Sequence, residues 1–311
     1  MSAPTRAWSR GGRYGPGDGG ADATSGRGLG LGRLPWRRRA ANGVMVTLVW
    51  LAVALALFPL LHMTYMVTRG ALPAMRLSTL VTVTQGVAGG LANAIAGSVL
   101  LVVLAAIAAI PVGVLGGTYA AERRTGRLVR LVRLAGDVLA GVPSIAVGYC
   151  GYVALVQGFG WQFSALAGGL ALGLLMLPYV LRTTDFAVAA VPDELRDASL
   201  ALGVDHTTTV RRVVLRAARP GIITGILLGT GIAIGETAPL IYTAGWSNFM
   251  PAAKLTHSPV GYLTYVVWTF IQQPFSAAHA LAYAAALLLM IAVFLLNIAA
   301  RAVARGGEAG R

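Results

Sequence analysis

The sequence predicts an all-α, polytopic membrane protein with six transmembrane helices, and three observations predict it. Six apolar stretches lie at about 44–67, 91–120, 136–157, 163–182, 220–244 and 277–300. Each is near or above the ~20 residues that a helix needs to cross ~30 Å of hydrocarbon. Of the 311 residues 56% are hydrophobic and only 12% charged, roughly half the charged share of a soluble domain. The basic residues alternate between connections: eight in 1–43, five in 121–135, six in 182–219 and three in 301–311, against two in 68–90 and one in 245–276. Basic residues concentrate in cytoplasmic loops. Both termini are therefore predicted inside, which an even number of spans requires.

The formal charge of +14 thus reports topology, and no nucleic-acid partner is needed to explain it; membrane lipid is the expected surrounding. Cys150 is the single cysteine, which excludes an intrachain disulfide and a cysteine metal cluster. The histidines His62, His206, His257 and His279 show no ligand spacing. No metal and no cofactor is expected.

Taken in order, residues 1–43 are rich in Gly, Arg, Ser and Asp and end in RLPWRRR. They read as a disordered basic arm, and a polar stretch of that length is unlike a signal peptide, so the first apolar run is expected to stay as an anchor. A membrane domain follows over 44–305, with a short tail at 306–311. In the third span Pro143, within GVPS (141–144), frees a carbonyl; it either shapes a path or marks close packing through Gly141. The small residues Gly113, Gly116, Gly117, Gly168, Gly169 and Gly173 favour close helix approach. After the fifth span, Trp246, Phe249, Tyr262, Tyr265, Trp268 and Phe270 are expected in the outer headgroup zone. The stretch GYLTYVVWTFIQQP (261–274) is too short to cross; it lies at the outer interface or re-enters as a hairpin.

The largest cytoplasmic connection, 184–219, reads as two short helices. Pro192 suits a first helical position, and Asp193 and Glu194 suit the positive N-terminal end of the dipole. Leu195, Ala198 and Leu202 form one apolar stripe, Gly203 supplies a left-handed stop, and Asp205 caps a second helix carrying Arg211, Arg212, Arg216 and Arg219. Such a pair either docks a partner or lies on the inner leaflet.

The order of residues favours docking. The string DASLALG followed by VVLRAARPG resembles the EAA loop of ABC importer permeases, with Asp197, Ala198 and Ser199 in its first three places and Gly203 at the right distance. Asp197 replaces Glu, Ser199 the second Ala, and Arg216 a Pro. NAIAGSVLLVV (93–103), IPVGVLGGTYAAE (110–122), LAGVPSIAVGYCGY (139–152), LPYVLRTT (177–184) and GETAPL (235–240) occur in the order found in phosphate ABC transporter permeases of the PstA type. The resemblance covers roughly 44–305. It implies the type I ABC importer permease fold, a bacterial plasma (inner) membrane location, a second homologous permease, a dimer of a cytoplasmic ABC ATPase and an external phosphate-binding protein. It implies an ATPase-coupling role for Leu195, Arg196, Asp197, Ala198, Ser199, Leu202 and Gly203. The chain has no GxxxxGK[ST], so ATP hydrolysis is expected of a partner and this chain is not expected to be an enzyme.

One glutamate remains to be explained. All other acidic residues lie in the arm, loops, span ends or tail, whereas Glu236 is deep in the fifth span. Arg219, 17 residues earlier, is ~25 Å away along a helix. Permeases of the resembling type often carry an arginine one turn before this glutamate; here that place is Ile232. Glu236 is expected to face a translocation path and to be neutralised by an arginine of the second permease, or else to be a protonated helix contact. Because a carboxylate repels phosphate, a gate fits it better than a ligand. Thr237, Thr243 and Ser144 are candidate hydroxyl donors, and Pro239 removes a backbone hydrogen bond that either opens or statically kinks the helix. Competing functions are a permease for another oxyanion or small solute, a self-sufficient secondary transporter, which would show repeats and more deep charges, and a membrane scaffold.

Overall fold

The computed structural model describes residues 36–309. The basic arm expected over 1–43 therefore lies largely outside the described residues, and 36–43 turn out to be the first turns of a helix. Arginine and alanine are good helix formers, and no proline interrupts them.

Packing divides the chain into two units, Met1–Pro59 and Leu60–Arg311. The described part of the first unit is the N-terminal stretch of α1 (Trp36–Ala71). Its large apolar side chains, Trp50, Leu55 and Phe58 among them, are exposed on all sides, as suits a helix whose solvent is lipid. Thr47 donates its hydroxyl to the Gly43 carbonyl at 2.9 Å, which satisfies it within the helix.

The second unit begins with the remainder of α1. A short connection follows, with α2 (Leu77–Val81) and a two-residue antiparallel pairing of β1 (Thr84–Gln85) with β2 (Ala88–Gly89). Next come α3 (Ala92–Arg123), α4 (Arg127–Gly141), α5 (Ser144–Gly151), α6 (Ala165–Ala189), α7 (Asp193–Ala201), α8 (His206–Thr209), α9 (Leu215–Gly235), α10 (Ala238–Thr243), α11 (Leu263–Phe270) and α12 (Ser276–Ala309). The axis of the unit is the pairing of α3 with α6. Their backbones approach so closely that a Cβ on Gly117 would lie 2.5 Å from the Leu181 carbonyl oxygen, the small-residue packing that helices use in lipid. α9 packs between α6 and α12.

Among the described residues, five helices are long and apolar enough to cross a membrane, six if a bent pair counts as one crossing. That pair corrects the third span. The expected continuous helix over 136–157 is two segments, α4 and α5 with a π-helical continuation to Gly158, bent by 101°. Pro143 is the cause: its ring drives the preceding residue out of the helical region, and Val142 has ψ 129. The fifth span is corrected at both ends. Its helix begins at His206, since α8 runs through a π-helical turn at 210–214 into α9, and Pro220 sits inside it without ending it. The second short helix expected in the 184–219 connection is thus the start of the span. At the other end the helix stops at Gly235 and resumes as α10 at Ala238. Pro239 has no N–H to donate to the Gly235 carbonyl four residues back.

The expected aromatic belt after the fifth span is largely a packed core. Tyr262, Val266 and Phe270 are buried, and the Trp246 ring stacks on Tyr265 with centroids 4.5 Å apart. Only Phe249 and Trp268 of the six aromatics are more than half exposed. Within this segment α11 fits against α3, where Ser98 Oγ accepts from the Leu263 N–H at 2.9 Å.

A candidate translocation cavity and its coupling loop

The two proline breaks meet. α5, which starts after Pro143, packs on α10, which contains Pro239, and Gly148 allows it: a Cβ there would lie 2.5 Å from the Pro239 Cα. Beside this contact is a cavity of about 200 Å³. Leu139, Ala140, Val142 and Ser144 line it from the first break, Leu175 and Tyr179 from α6, and Ile232 and Glu236 from the second break. Ser144 and Glu236, 92 positions apart in the chain, thus reach one space.

The backbone freed by the second break is satisfied. Glu236 has ψ 136, outside the helical region, and its carbonyl accepts from the Thr264 hydroxyl at 2.9 Å. The side chains are not satisfied: among the described residues none hydrogen-bonds or ion-pairs with the Glu236 carboxylate or the Ser144 hydroxyl. Both are half-buried. A half-desolvated carboxylate beside an unused hydroxyl can accept a donor from outside the chain.

The other predicted site residues fall elsewhere. Pro239 is buried against Gly148 and shapes the break without lining the cavity. Thr237 precedes α10, its carbonyl accepting from Leu240 and Ile241, and its side chain is not part of the cavity wall. Thr243 is buried and donates to the Pro239 carbonyl at 2.7 Å, so its hydroxyl is already committed.

The 184–219 connection is fastened to the helix ends beside it. Ala121, Val188, Val191, Val214, Ala218 and Ile222 form a buried cluster joining α3, α6 and α9. On α7, Leu195, Asp197 and Ala198 face outward, as does Leu202 just after it, at 85% exposure. Arg196 and Ser199 turn inward instead. Arg196 pairs with Glu122 at 3.0 Å, their side chains 14% and 9% exposed, and Ser199 Oγ lies 2.9 Å from Thr209 Oγ1. Removing one partner of such a buried pair costs about 3–5 kcal/mol. The helix ends at Ala201, Leu202 is its C-cap, and Gly203 follows at φ +80, a left-handed residue at the expected place. Asp205 Oδ2 accepts from the Thr208 N–H at 2.9 Å and so caps α8.

Comparison with known proteins then decides the family. The profile described as "Binding-protein-dependent transport system inner membrane component" matches residues 113–306. The chain belongs to this family. The permease is 44% identical over 268 residues to "Phosphate transport system permease protein PstA 2" of Mycobacterium bovis, covering 86% of this chain and 89% of that one. It is 38% identical over 270 residues to "Phosphate transport system permease protein PstA" of Pasteurella multocida, covering 85% and 94%. In fold the permease resembles the inward-facing MetNI methionine ABC transporter, with TM-score 0.57 and 18% identity over 70% of this chain and 97% of that one. It is a multi-pass inner-membrane component of the ABC permease type. The matched region contains the entire cavity and the 184–219 connection.

Tyr179, Thr264 and Glu122 of the permease escaped sequence reasoning. Tyr179 sits in an apolar helix among residues of similar kind, and Thr264 among aromatics. Glu122 carried a signal, a lone acid at the end of a span followed by two arginines, but nothing in the sequence tells which distant arginine it meets.

Proposed function

We infer that the chain is a transmembrane subunit of an ATP-driven importer of inorganic phosphate, in a bacterial plasma membrane with both termini cytoplasmic. It forms the translocation path with a second homologous permease, is driven by a cytoplasmic ABC ATPase dimer that hydrolyses the ATP, and receives substrate from an external phosphate-binding protein. One observation carries the reading: the deep carboxylate Glu236 and Ser144 share a cavity built from two broken spans, in a chain whose relatives are named phosphate permeases.

Substrate passes as an anion, so Glu236 serves as a gate or as the holder of an arginine from the second permease. Anion contacts come from that arginine, from hydroxyls such as Ser144 and from backbone N–H groups. The outward face of α7 seats on the ATPase, and closure of the ATPase dimer moves the loop and the spans as rigid bodies.

The test is uptake of labelled phosphate by the assembled complex in vesicles. Glu236→Gln, which keeps shape and removes charge, should slow ATP-driven uptake roughly tenfold, the effect of ~1.4 kcal/mol on a barrier. Normal uptake by this variant removes the gating role. Wild-type vesicles that import sulfate or an organic solute, and no phosphate, would assign the substrate differently.

A further inference from the structure

Arg196 ties three helices together with one guanidinium. Its Nε and Nη2 donate to Glu122 Oε1 of α3 at 3.3 and 3.0 Å. Nη2 also donates to the Val188 carbonyl in the last turn of α6 at 2.9 Å. Nη1 donates to the Val191 carbonyl at 2.5 Å and to Asp193 Oδ1 at 3.1 Å. Asp193 in turn accepts from Arg124, at the end of α3, at 2.5 Å. All three guanidinium nitrogens are used, and a cation at the C-terminal end of α6 is favoured by the carbonyls left free there. The exposed His206 also lies near the Glu122 carboxylate, its Nε2 3.8 Å from Oε2.

Two attachments therefore run from α7 toward the cavity. Ser199 meets Thr209 at the start of the helix that ends at Gly235, beside Glu236. Arg196 meets α3 and α6, and α6 carries Leu175 and Tyr179, another part of the cavity lining. The apolar stripe of α7 faces away from both.

We propose that Arg196, held by Glu122, is the positioning residue that makes α3, α6 and α7 one rigid body, so that a push on α7 reaches the Leu175–Tyr179 wall of the cavity. This rests on the importer reading above. A lysine would retain the charge but not the fork that spans a carboxylate and two carbonyls. The cytoplasmic loop is thus an inflexible extension of α6, and the ATPase moves the α6 and Glu236 sides of the cavity through separate fasteners.

The experiment uses the assembled complex in vesicles and reads phosphate taken up per ATP hydrolysed. In a Cys150→Ser background, the pair Glu122→Cys and Arg196→Cys removes the fastener, and a short bifunctional thiol reagent replaces it. Uptake per ATP should fall roughly tenfold in the untreated pair while ATP is still consumed, and should recover on cross-linking. Unchanged uptake per ATP without the cross-link, or arrest of uptake by the cross-link, overturns the proposal. If the cysteine pair does not assemble, Arg196→Lys decides: a loss of roughly tenfold supports the fastener and normal coupling removes it. Wild-type vesicles that take up no phosphate under ATP would instead sink the importer reading.

Discussion

Gly148 is where a single missing atom holds the cavity together. A methyl group there would meet the Pro239 backbone at 2.5 Å, and neither partner can rotate away, one being a helix backbone and the other a proline. Overpacking of this kind costs about 1–3 kcal/mol. Gly148→Ala should lower the thermal midpoint of the purified permease and reduce uptake, whereas Gly141→Ala, whose added Cβ meets nothing within 4 Å, should leave both unchanged. Equal effects of the two would mean that α5 and α10 do not depend on this contact. At this scale the sequence singled out Glu236 and Ser144 by chemistry, and the fold brought them into one cavity. It also singled out Thr243 as a donor, and the fold spends that hydroxyl on Pro239. A hydroxyl's availability depends on which carbonyl lies within reach, and local sequence reports only that the hydroxyl exists.

At the scale of elements, caps and breaks follow from residues a few positions apart. Asp205 caps α8, and hydrogen bonds from Thr208, its side chain first and its backbone second, hold the Asp205 carboxyl below the usual carboxylate range. The lowered value fixes the sign. The cap is intact above the ordinary carboxylate pKa of ~3.9 and fails only as acid carries the pH through the lower folded value. Hydrogen exchange at Thr208 and Thr209 should therefore be protected equally at neutral pH and at mildly acid pH, after correction for the intrinsic rate. Asp205→Ala should lose that protection at every pH, and Asp205→Asn should retain most of it, since both side chains cap well. Full protection in the alanine variant would show that the loop does not need the cap. The sequence foresaw this cap and the left-handed Gly203, because both are set by neighbours in the chain. It missed the bend at Val142–Pro143 as a break between two helices, since a proline in an apolar run reads equally well as a kink.

Across the whole molecule, the arginine count implies sidedness, and the single lysine offers a direct check. Lys254 is exposed in the connection after the fifth span, which the charge pattern assigns to the outer face. A membrane-impermeant amine reagent applied to intact cells should modify Lys254, and the same reagent applied to inside-out vesicles should not. The reverse pattern would invert the topology and move α7 away from any cytoplasmic motor.

Composition and periodicity alone determined that the chain is a helical membrane protein, roughly where its helices run and which connections are basic. These properties depend on the fit of each segment to lipid or water, a matter of residues near one another in sequence. The sequence could also flag a carboxylate out of place, since its cost in hydrocarbon is intrinsic to the group. Only tertiary structure decided that Glu236 and Ser144 face one cavity, that Thr264 satisfies the broken helix, that the aromatic segment is largely core, and that Arg196 points inward to Glu122. Those outcomes are set by which distant surfaces approach within hydrogen-bonding or van der Waals range, a long-range geometry that no local pattern encodes.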